Sequence, residues 1–235
     1  MAKRIFDIVF SALGLLATSP LLGVIMVMVW RQDGYSPFYF GERVARNFGA
    51  FRIVKMRSMV KNADRSGVES TGASDNRITP LGHFIRRYKI DELTQLWNVL
   101  TGEMSIVGPR PNTRNGVAAY TPLERRILTV RPGITDISSI VFSDEGDILK
   151  DQPDPDLAYD ELIRPWKSRL CLLYIAHQSF LLDIRLIWLT IIAIVSKPHA
   201  LAGVQAILQR LHADPVLIAV CQRNQKLVAS PLPGT

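Results

Sequence analysis

Residues Ile8–Trp30 read IVFSALGLLATSPLLGVIMVMVW, 23 positions without a formal charge. A straight helix of that length reaches about 34 Å at ~1.5 Å per residue, just enough to cross a bilayer. Ser19-Pro20 falls near the middle of the run, with Gly14 and Gly23 on either side. Proline removes a backbone donor and kinks a helix, so this placement predicts two helical arms joined by a break. Basic residues flank both ends: Lys3 and Arg4 before the run, Arg31, Arg43 and Arg46 after it. Positive flanks mark the cytoplasmic side, so their symmetry predicts that both ends lie there, as in a re-entrant hairpin. A single full span is the competing reading. The run is long for the apolar part of a signal peptide and lacks a small-x-small cleavage site. It also lacks the polar face that a soluble core helix normally shows.

The remaining composition narrows the partners. A hydrophobic content of 48% over 235 residues is ample for a core, and a mean hydropathy of +0.13 hints at apolar surface outside it. The net charge of +7 calls for anionic partners: acidic lipid, phosphorylated substrate or nucleic acid. No nucleic-acid recognition motif is present, and such a role would leave Ile8–Trp30 unexplained. Cys171 and Cys221 are far apart and the four histidines show no ligand spacing, so the default is a reducing compartment without a zinc site.

The chemistry concentrates in residues 89–111, KIDELTQLWNVLTGEMSIVGPRP. Asp91 and Glu92 follow the basic Arg86, Arg87 and Lys89 and open a predicted helix. Its apolar stripe is Leu93, Leu96, Trp97 and Leu100, and Gly102 supplies the stop. Carboxylates at such a start meet free N–H groups and the positive end of the macrodipole, beside a natural phosphate site. Adjacent helical residues point about 100° apart at ~3.6 residues per turn, so Asp91 and Glu92 cannot both attack one phosphorus. Gly108-Pro109 with Pro111 makes a rigid turn that holds Arg110 out, and Arg131-Pro132-Gly133 does the same for Arg131.

Elsewhere, Ser36–Phe40 and Phe51–Met59 read as short extended segments, and Lys61–Asn76 as a polar surface loop. Thr79-Pro80 opens a helix to about Lys89, and Thr121-Pro122 opens another through Arg126. The acidic Asp144–Asp156 reads as a loop or lid. The apolar stretch Leu170–Val195, with Trp166, Tyr174 and Trp188, suggests interfacial helices. Ala200–Leu211 is a further helix, followed by a frayed tail. The chain therefore divides into an anchor (1–33), a catalytic domain (34–198) and a C-terminal helix and tail (199–235). The fold class is α/β, mostly α with a small sheet, in a monotopic membrane protein with a re-entrant N-terminal helix and interfacial amphipathic helices.

Together, Lys3-Arg4-Ile5-Phe6-Asp7, the Ser19-Pro20 break, Lys55-Met56-Arg57-Ser58-Met59, the Asp91-Glu92 to Gly108-Pro109-Arg110-Pro111 block and Arg131-Pro132-Gly133-Ile134-Thr135 resemble the bacterial sugar transferase family of small monotopic phosphoglycosyl transferases. The resemblance runs from about Lys3 to Ser196. It implies transfer of a sugar phosphate from a UDP-sugar to polyprenyl phosphate, with UMP released, Mg²⁺ required and a covalent intermediate on the aspartate. It makes Asp91 the nucleophile and metal contact and Glu92 its support. Lys55, Arg86, Arg110 and Arg131 are expected near the phosphates, Pro111 fixes the Arg110 loop, and the membrane helix turns at Ser19-Pro20. The implied location is the cytoplasmic face of a bacterial inner membrane, among phospholipids and away from nucleic acid, with a homodimer admitted.

One departure stands out. Many members continue Gly-Trp-Ala-Gln after Arg-Pro-Gly-Ile-Thr, whereas Asp136-Ile137-Ser138-Ser139 follows here. The physical chemistry agrees with the resemblance, because a carboxylate attacking a pyrophosphate needs cations to offset the repulsion between anions. A non-catalytic membrane scaffold for glycan assembly enzymes is the alternative from another class.

Overall fold

The computed structural model describes residues 1–67, 70–150 and 152–235. Val68 and Glu69, within the segment read as a surface loop, and Asp151, within the acidic segment, lie outside the described residues.

The apolar run forms the middle of helix α1 (Ala2–Asp33), which continues through Pro20. The chain therefore does not leave the helix at Ser19-Pro20. Pro20 has no N–H for the Leu16 carbonyl four residues back, and Ser19 Oγ donates to that oxygen at 2.8 Å. Thr18 Oγ1 donates to Gly14 O at 2.7 Å. Side-chain hydroxyls thus satisfy the turn around the proline, and the helix passes it without ending.

Both ends of α1 are tied to the rest of the chain. Near its start, Arg4 donates to the Val99 and Leu100 carbonyls at 2.5 and 2.9 Å. The buried Asp7 accepts from Ser105 Oγ and the Ile106 N–H at 2.9 and 3.1 Å. At its far end, Asp33 holds Arg57 through two contacts of 2.5 and 2.6 Å. Leu22, Ile25 and Val29 pack on Met56, Ile85 and Ile90. The opposite side leaves Leu13, Leu16, Leu21, Val24, Val27 and Met28 exposed. Among the described residues, α1 is the one helix long and apolar enough to cross a membrane.

Strands β1 (Phe38–Val44) and β2 (Ala50–Met56) form an antiparallel pair with Tyr39 opposite Lys55. Helix α2 (Pro80–Arg87) starts as its sequence predicts: Thr79 Oγ1 accepts from the Gly82 N–H, and Pro80 occupies the first turn. Gly82 lies so close to the preceding segment that a Cβ there would stand 1.9 Å from Ser58 O. Lys89, in the left-handed region at φ 56°, then turns the chain into α3 (Ile90–Leu93).

The single helix expected from Asp91 to Leu100 is two, α3 and α4 (Leu96–Thr101). Thr94 Oγ1 bonds both Asp91 O and Val54 O at 3.0 Å, and the Gln95 N–H reaches back only three residues, to Glu92 O. That local bonding tightens the turn and interrupts the ladder. The stripe is corrected too: Leu96 is buried, but Trp97 is 54% exposed. Gly102, at φ 95°, is the stop the sequence predicts.

Strand β3 (Ser105–Val107) leads to α5 (Arg114–Ala118) and then to a 3₁₀ turn, Glu124–Thr129, where a helix from Thr121 was expected. There the Glu124 N–H donates to Thr121 Oγ1, and Glu124 Oε2 accepts from the Thr121 N–H. The reciprocal bonds form a capping box. Strand β4 (Gly133–Thr135) pairs with β3 in parallel. After α6 (Ile137–Val141), the acidic segment carries two one-turn helices, α7 (Glu145–Ile148) and α8 (Pro155–Ala158).

Four helices complete the chain: α9 (Arg164–His177), α10 (Phe180–Val195), α11 (Lys197–Arg210) and α12 (Pro215–Cys221). Ile137 and Ile140, Leu170 and Tyr174, Leu186 and Leu208 meet in the main core. Trp166 and Tyr174 are therefore core residues and not interfacial ones, whereas Trp188 is exposed on α10 with Phe180, Leu181, Ile184, Ile191 and Ile194. The tail is not frayed. Pro231 O accepts from Arg169, Pro233 O from Thr121 Oγ1, and Glu161 O from the Ser230 N–H.

Candidate active site

Lys55 stands on β2, and the position of that strand is set from α4. Asn98, buried, accepts from the Val54 N–H at 2.9 Å and donates to Arg52 O at 2.8 Å, taking the place of a further strand at the edge of β2. Lys55 Nζ thereby faces Asp91 Oδ2 at 3.7 Å. The motif around Lys55 splits its work along the chain. Arg57 turns away to hold the end of α1, and Ser58 Oγ accepts from Arg86 Nε at 3.0 Å.

Asp91 and Glu92 have opposite surroundings. Glu92 Oε1 is bound by Arg110 at 2.6 Å. Burial alone would raise the Glu92 carboxyl, but Arg110, Lys89 and Lys55 hold it well below the usual carboxylate range. Asp91 is buried, and its Oδ1 has no hydrogen-bond partner among the described residues. Burial pushes its carboxyl up, with the Lys55 charge opposing. Burial and the neighbouring Arg110 charge bring the Lys55 ammonium down to about 8. Two adjacent carboxylates with pKa values driven apart are differently employed. Glu92 is committed to Arg110, and Asp91 retains a free oxygen.

The four-residue α3 contributes little macrodipole, so the positive field at Asp91 comes from side chains instead. Lys55, Arg86, Lys89, Arg110 and Pro111 all line one cleft with Asp91 and Glu92, of about 1970 Å³. It extends to Phe10, Gly14 and Thr18 of α1. Arg131 does not line it. The Gly108 and Arg131-Pro132-Gly133 turns press together, with the Gly133 N–H on Pro109 O at 2.9 Å, and Arg131 Nε donates to Gly102 O at the end of α4. Arg131 is thus held against the end of α4, outside the residues that line the cleft. Ser19 and Pro20 lie beyond the part of α1 that borders the cleft.

The unpartnered Asp91 Oδ1 fits a hard divalent cation, which takes one or two carboxylates and completes its shell with substrate phosphate and water. Among the described residues, no group of three His, Cys, Asp or Glu could hold a metal on its own. A cation here would be shared with the substrate.

Sequence reasoning did not single out Asn98, nor the Glu145–Lys167 ion pair that lines the same cleft. Neither carries a sequence signal, because their partners lie far away along the chain. The residues of the departure, Asp136–Ser139, form the start of α6. Asp136 is buried and accepts from the Ser139 N–H at 2.7 Å.

A buried carboxylate with one unpartnered oxygen, set among cations in a cleft that an exposed apolar helix borders, is the arrangement of a membrane-associated enzyme site. The family model described as bacterial sugar transferase matches residues 1–197, and the chain belongs to that family. The exopolysaccharide production protein ExoY of Sinorhizobium fredii is 37% identical over 155 residues, covering 60% of this chain and 69% of that protein. The undecaprenyl-phosphate glucose phosphotransferase of Komagataeibacter xylinus is 38% identical over 199 residues, 81% of this chain and 35% of that protein. The UDP-N-acetylgalactosamine-undecaprenyl-phosphate N-acetylgalactosaminephosphotransferase of Aeromonas hydrophila is 31% identical over 169 residues, 70% of this chain and 40% of that protein. The chain thus spans well under half the length of the last two.

Proposed function

We propose that the chain transfers a sugar-1-phosphate from a UDP-sugar to polyprenyl phosphate in two displacements at Asp91. In the first, an Asp91 carboxylate oxygen attacks the phosphorus that bears the sugar. The bond to the bridging oxygen breaks, UMP leaves with that electron pair, and the sugar phosphate is held as an acyl phosphate on Asp91. In the second, a phosphate oxygen of the lipid attacks the same phosphorus and expels the Asp91 carboxylate, giving polyprenyl diphosphate sugar. The observation that carries this reading is the contrast within the acid pair: Asp91 has a free, buried oxygen in the cleft, while Glu92 is bound to Arg110.

Glu92 acts by holding Arg110 in place, and Pro111 fixes the chain after it. Arg110, Arg86 and Lys55 offset the phosphate charge that would otherwise repel the nucleophile. Mg²⁺, held by Asp91 and the donor phosphates, would add charge neutralisation at the leaving group.

The membrane reading rests on α1 and α10. At 32 residues α1 is about 48 Å long if straight, at ~1.5 Å per residue, yet both of its ends bind the same body. A helix crossing straight through would carry one end away from that body. We read α1 as entering the bilayer from the cytoplasmic face of the inner membrane and keeping both ends there, with the exposed face of α10 in the interface. The cleft's reach to Phe10 and Gly14 gives a lipid phosphate a path to Asp91. The products are polyprenyl-linked sugars that begin glycoconjugate or exopolysaccharide assembly.

The test is UMP release by the detergent-solubilised chain given UDP-sugars, undecaprenyl phosphate and Mg²⁺, alongside Asp91→Asn. Release by the wild type and none by the variant is expected. Equal rates would remove Asp91 from the chemistry.

A further inference from the structure

The cleft that holds Asp91 also carries a polar cluster with no role in the displacements described above. Glu145, the first residue of α7, forms a close ion pair with Lys167 of α9, and Lys167 Nζ sits 5.3 Å over the Tyr159 ring. All three line the cleft. The cluster lies near the phosphate-facing cations, since the Arg110 charge lowers the carboxyls of both Glu92 and Glu145.

The end of α7 is anchored in the core, where Ile148 packs against it and Leu149, the next residue, is buried. Polar ties hold its start. Asp144 pairs with Lys197 at 2.5 Å and Arg223 at 3.2 Å, and Gly146 O accepts from the Ala73 N–H at 2.8 Å. Arg223, which also lies 5.4 Å over the Phe142 ring, comes from beyond the residues matched by the family. Partly exposed ion pairs contribute little to stability. Their effect here is to place Glu145.

The chemistry of the cluster selects its ligand. Phosphate oxygens are acceptors and gain nothing from Glu145, whereas a sugar ring is rich in O–H donors. Ser138, Ser139 and Cys171, which also line the cleft, already donate to Asp136. Glu145 keeps acceptor capacity beyond its bond to Lys167, and Lys167 keeps donors.

We propose that Glu145 and Lys167 form the subsite for the donor's sugar ring, and so set which sugar is transferred. Glu145 accepts from pyranose hydroxyls, Lys167 donates to a sugar oxygen, and Arg223 positions the cluster through Asp144. The inference rests on the reading above, in which the donor's phosphates meet Asp91 and Arg110.

The full chain would be assayed for UMP release from UDP-glucose, UDP-galactose, UDP-N-acetylglucosamine and UDP-N-acetylgalactosamine, and for inhibition by UMP. Glu145→Gln should lower kcat/KM for the preferred donor roughly ten- to a hundredfold, the effect of weakening hydrogen bonds to a charged group. The other donors should lose less, so the preference narrows, while inhibition by UMP is unchanged. An equal fall for all four donors with weaker UMP inhibition would assign the cluster to the nucleotide and overturn the proposal. An unmoved donor profile would also overturn it. Should Glu145→Gln not fold, Glu145→Asp keeps the charge one methylene further back and must still shift the donor ratio. Arg223→Met should raise KM more than it lowers kcat, with Arg223→Lys restoring part of the difference. If the wild type released no UMP from any donor, the reading of the function itself would fail. Turnover by the wild type with an unchanged Glu145→Gln profile would remove this subsite alone.

Discussion

Replacing Asn98 by alanine should weaken both the fold and the reaction, because one amide carries the edge of β2 and with it Lys55. The side chain makes three bonds: from the Val54 N–H at 2.9 Å, to Arg52 O at 2.8 Å and to Glu103 Oε2 at 2.7 Å. Val54 is half-buried, so its N–H loses a partner that water replaces poorly, at about 1–3 kcal/mol. Arg52 is exposed and its carbonyl is rehydrated, leaving about 0.5–1.5 kcal/mol. The bond to the exposed Glu103 adds little. The sum is about 2–4 kcal/mol, read as a lower unfolding midpoint in detergent. Lys55 would move relative to Asp91, so UMP release should fall with the nucleophile intact. Asn98→Asp, which keeps the acceptor for Val54 but loses the donors, should lie between wild type and alanine in stability. A stability change under about 0.5 kcal/mol with unchanged UMP release would refute the argument that Asn98 places β2.

Three further outcomes follow from the same structure. Gly82→Ala would put a methyl group 1.9 Å from Ser58 O, so α2 must shift, and Arg86 with it; a large loss of stability, by unfolding in detergent, is expected. Glu124 is buried against Arg164, Ser168 and the Thr121 N–H, and these bonds outweigh burial and hold its carboxyl below the ordinary value. Its contribution to stability is therefore present above about pH 4.3 and is lost as the pH falls through the lower folded value. Unfolding midpoints of wild type and Glu124→Gln should accordingly converge as the buffer is taken from pH 6 to pH 3. Removal of divalent cations with EDTA should abolish UMP release, and added Mg²⁺ should restore it; full activity in EDTA would refute the cation assignment.

Local signals were legible where chemistry and position coincide in a few adjacent residues. Thr79-Pro80 and Gly102 bound their helices as predicted, because caps and left-handed stops act over one turn. Asp91, Glu92, Lys55, Arg86 and Arg110, all picked out by local motifs, share one cleft. What was not legible depended on partners far along the chain. The interruption after α3 arises when Thr94 bonds Val54, forty residues earlier, and the placement of Arg131 arises because two turns pack face to face. At Pro20 the helix continues for a local reason. The hydroxyl of the preceding serine meets the carbonyl that proline leaves open. The C-terminal segment offered no motif, and its tie to Asp144 is visible only in three dimensions.

The central claim is that Asp91, and not Glu92, carries the phosphosugar. Its most direct test is intact-protein and peptide mass spectrometry after the chain is mixed with Mg²⁺ and its UDP-sugar in the absence of lipid acceptor. A mass increase of one phosphosugar on the peptide containing Asp91, absent in Asp91→Asn and discharged by undecaprenyl phosphate, is the predicted result. An adduct on Glu92, or rapid lipid-dependent turnover with no adduct in the wild type under quenched conditions, would contradict it.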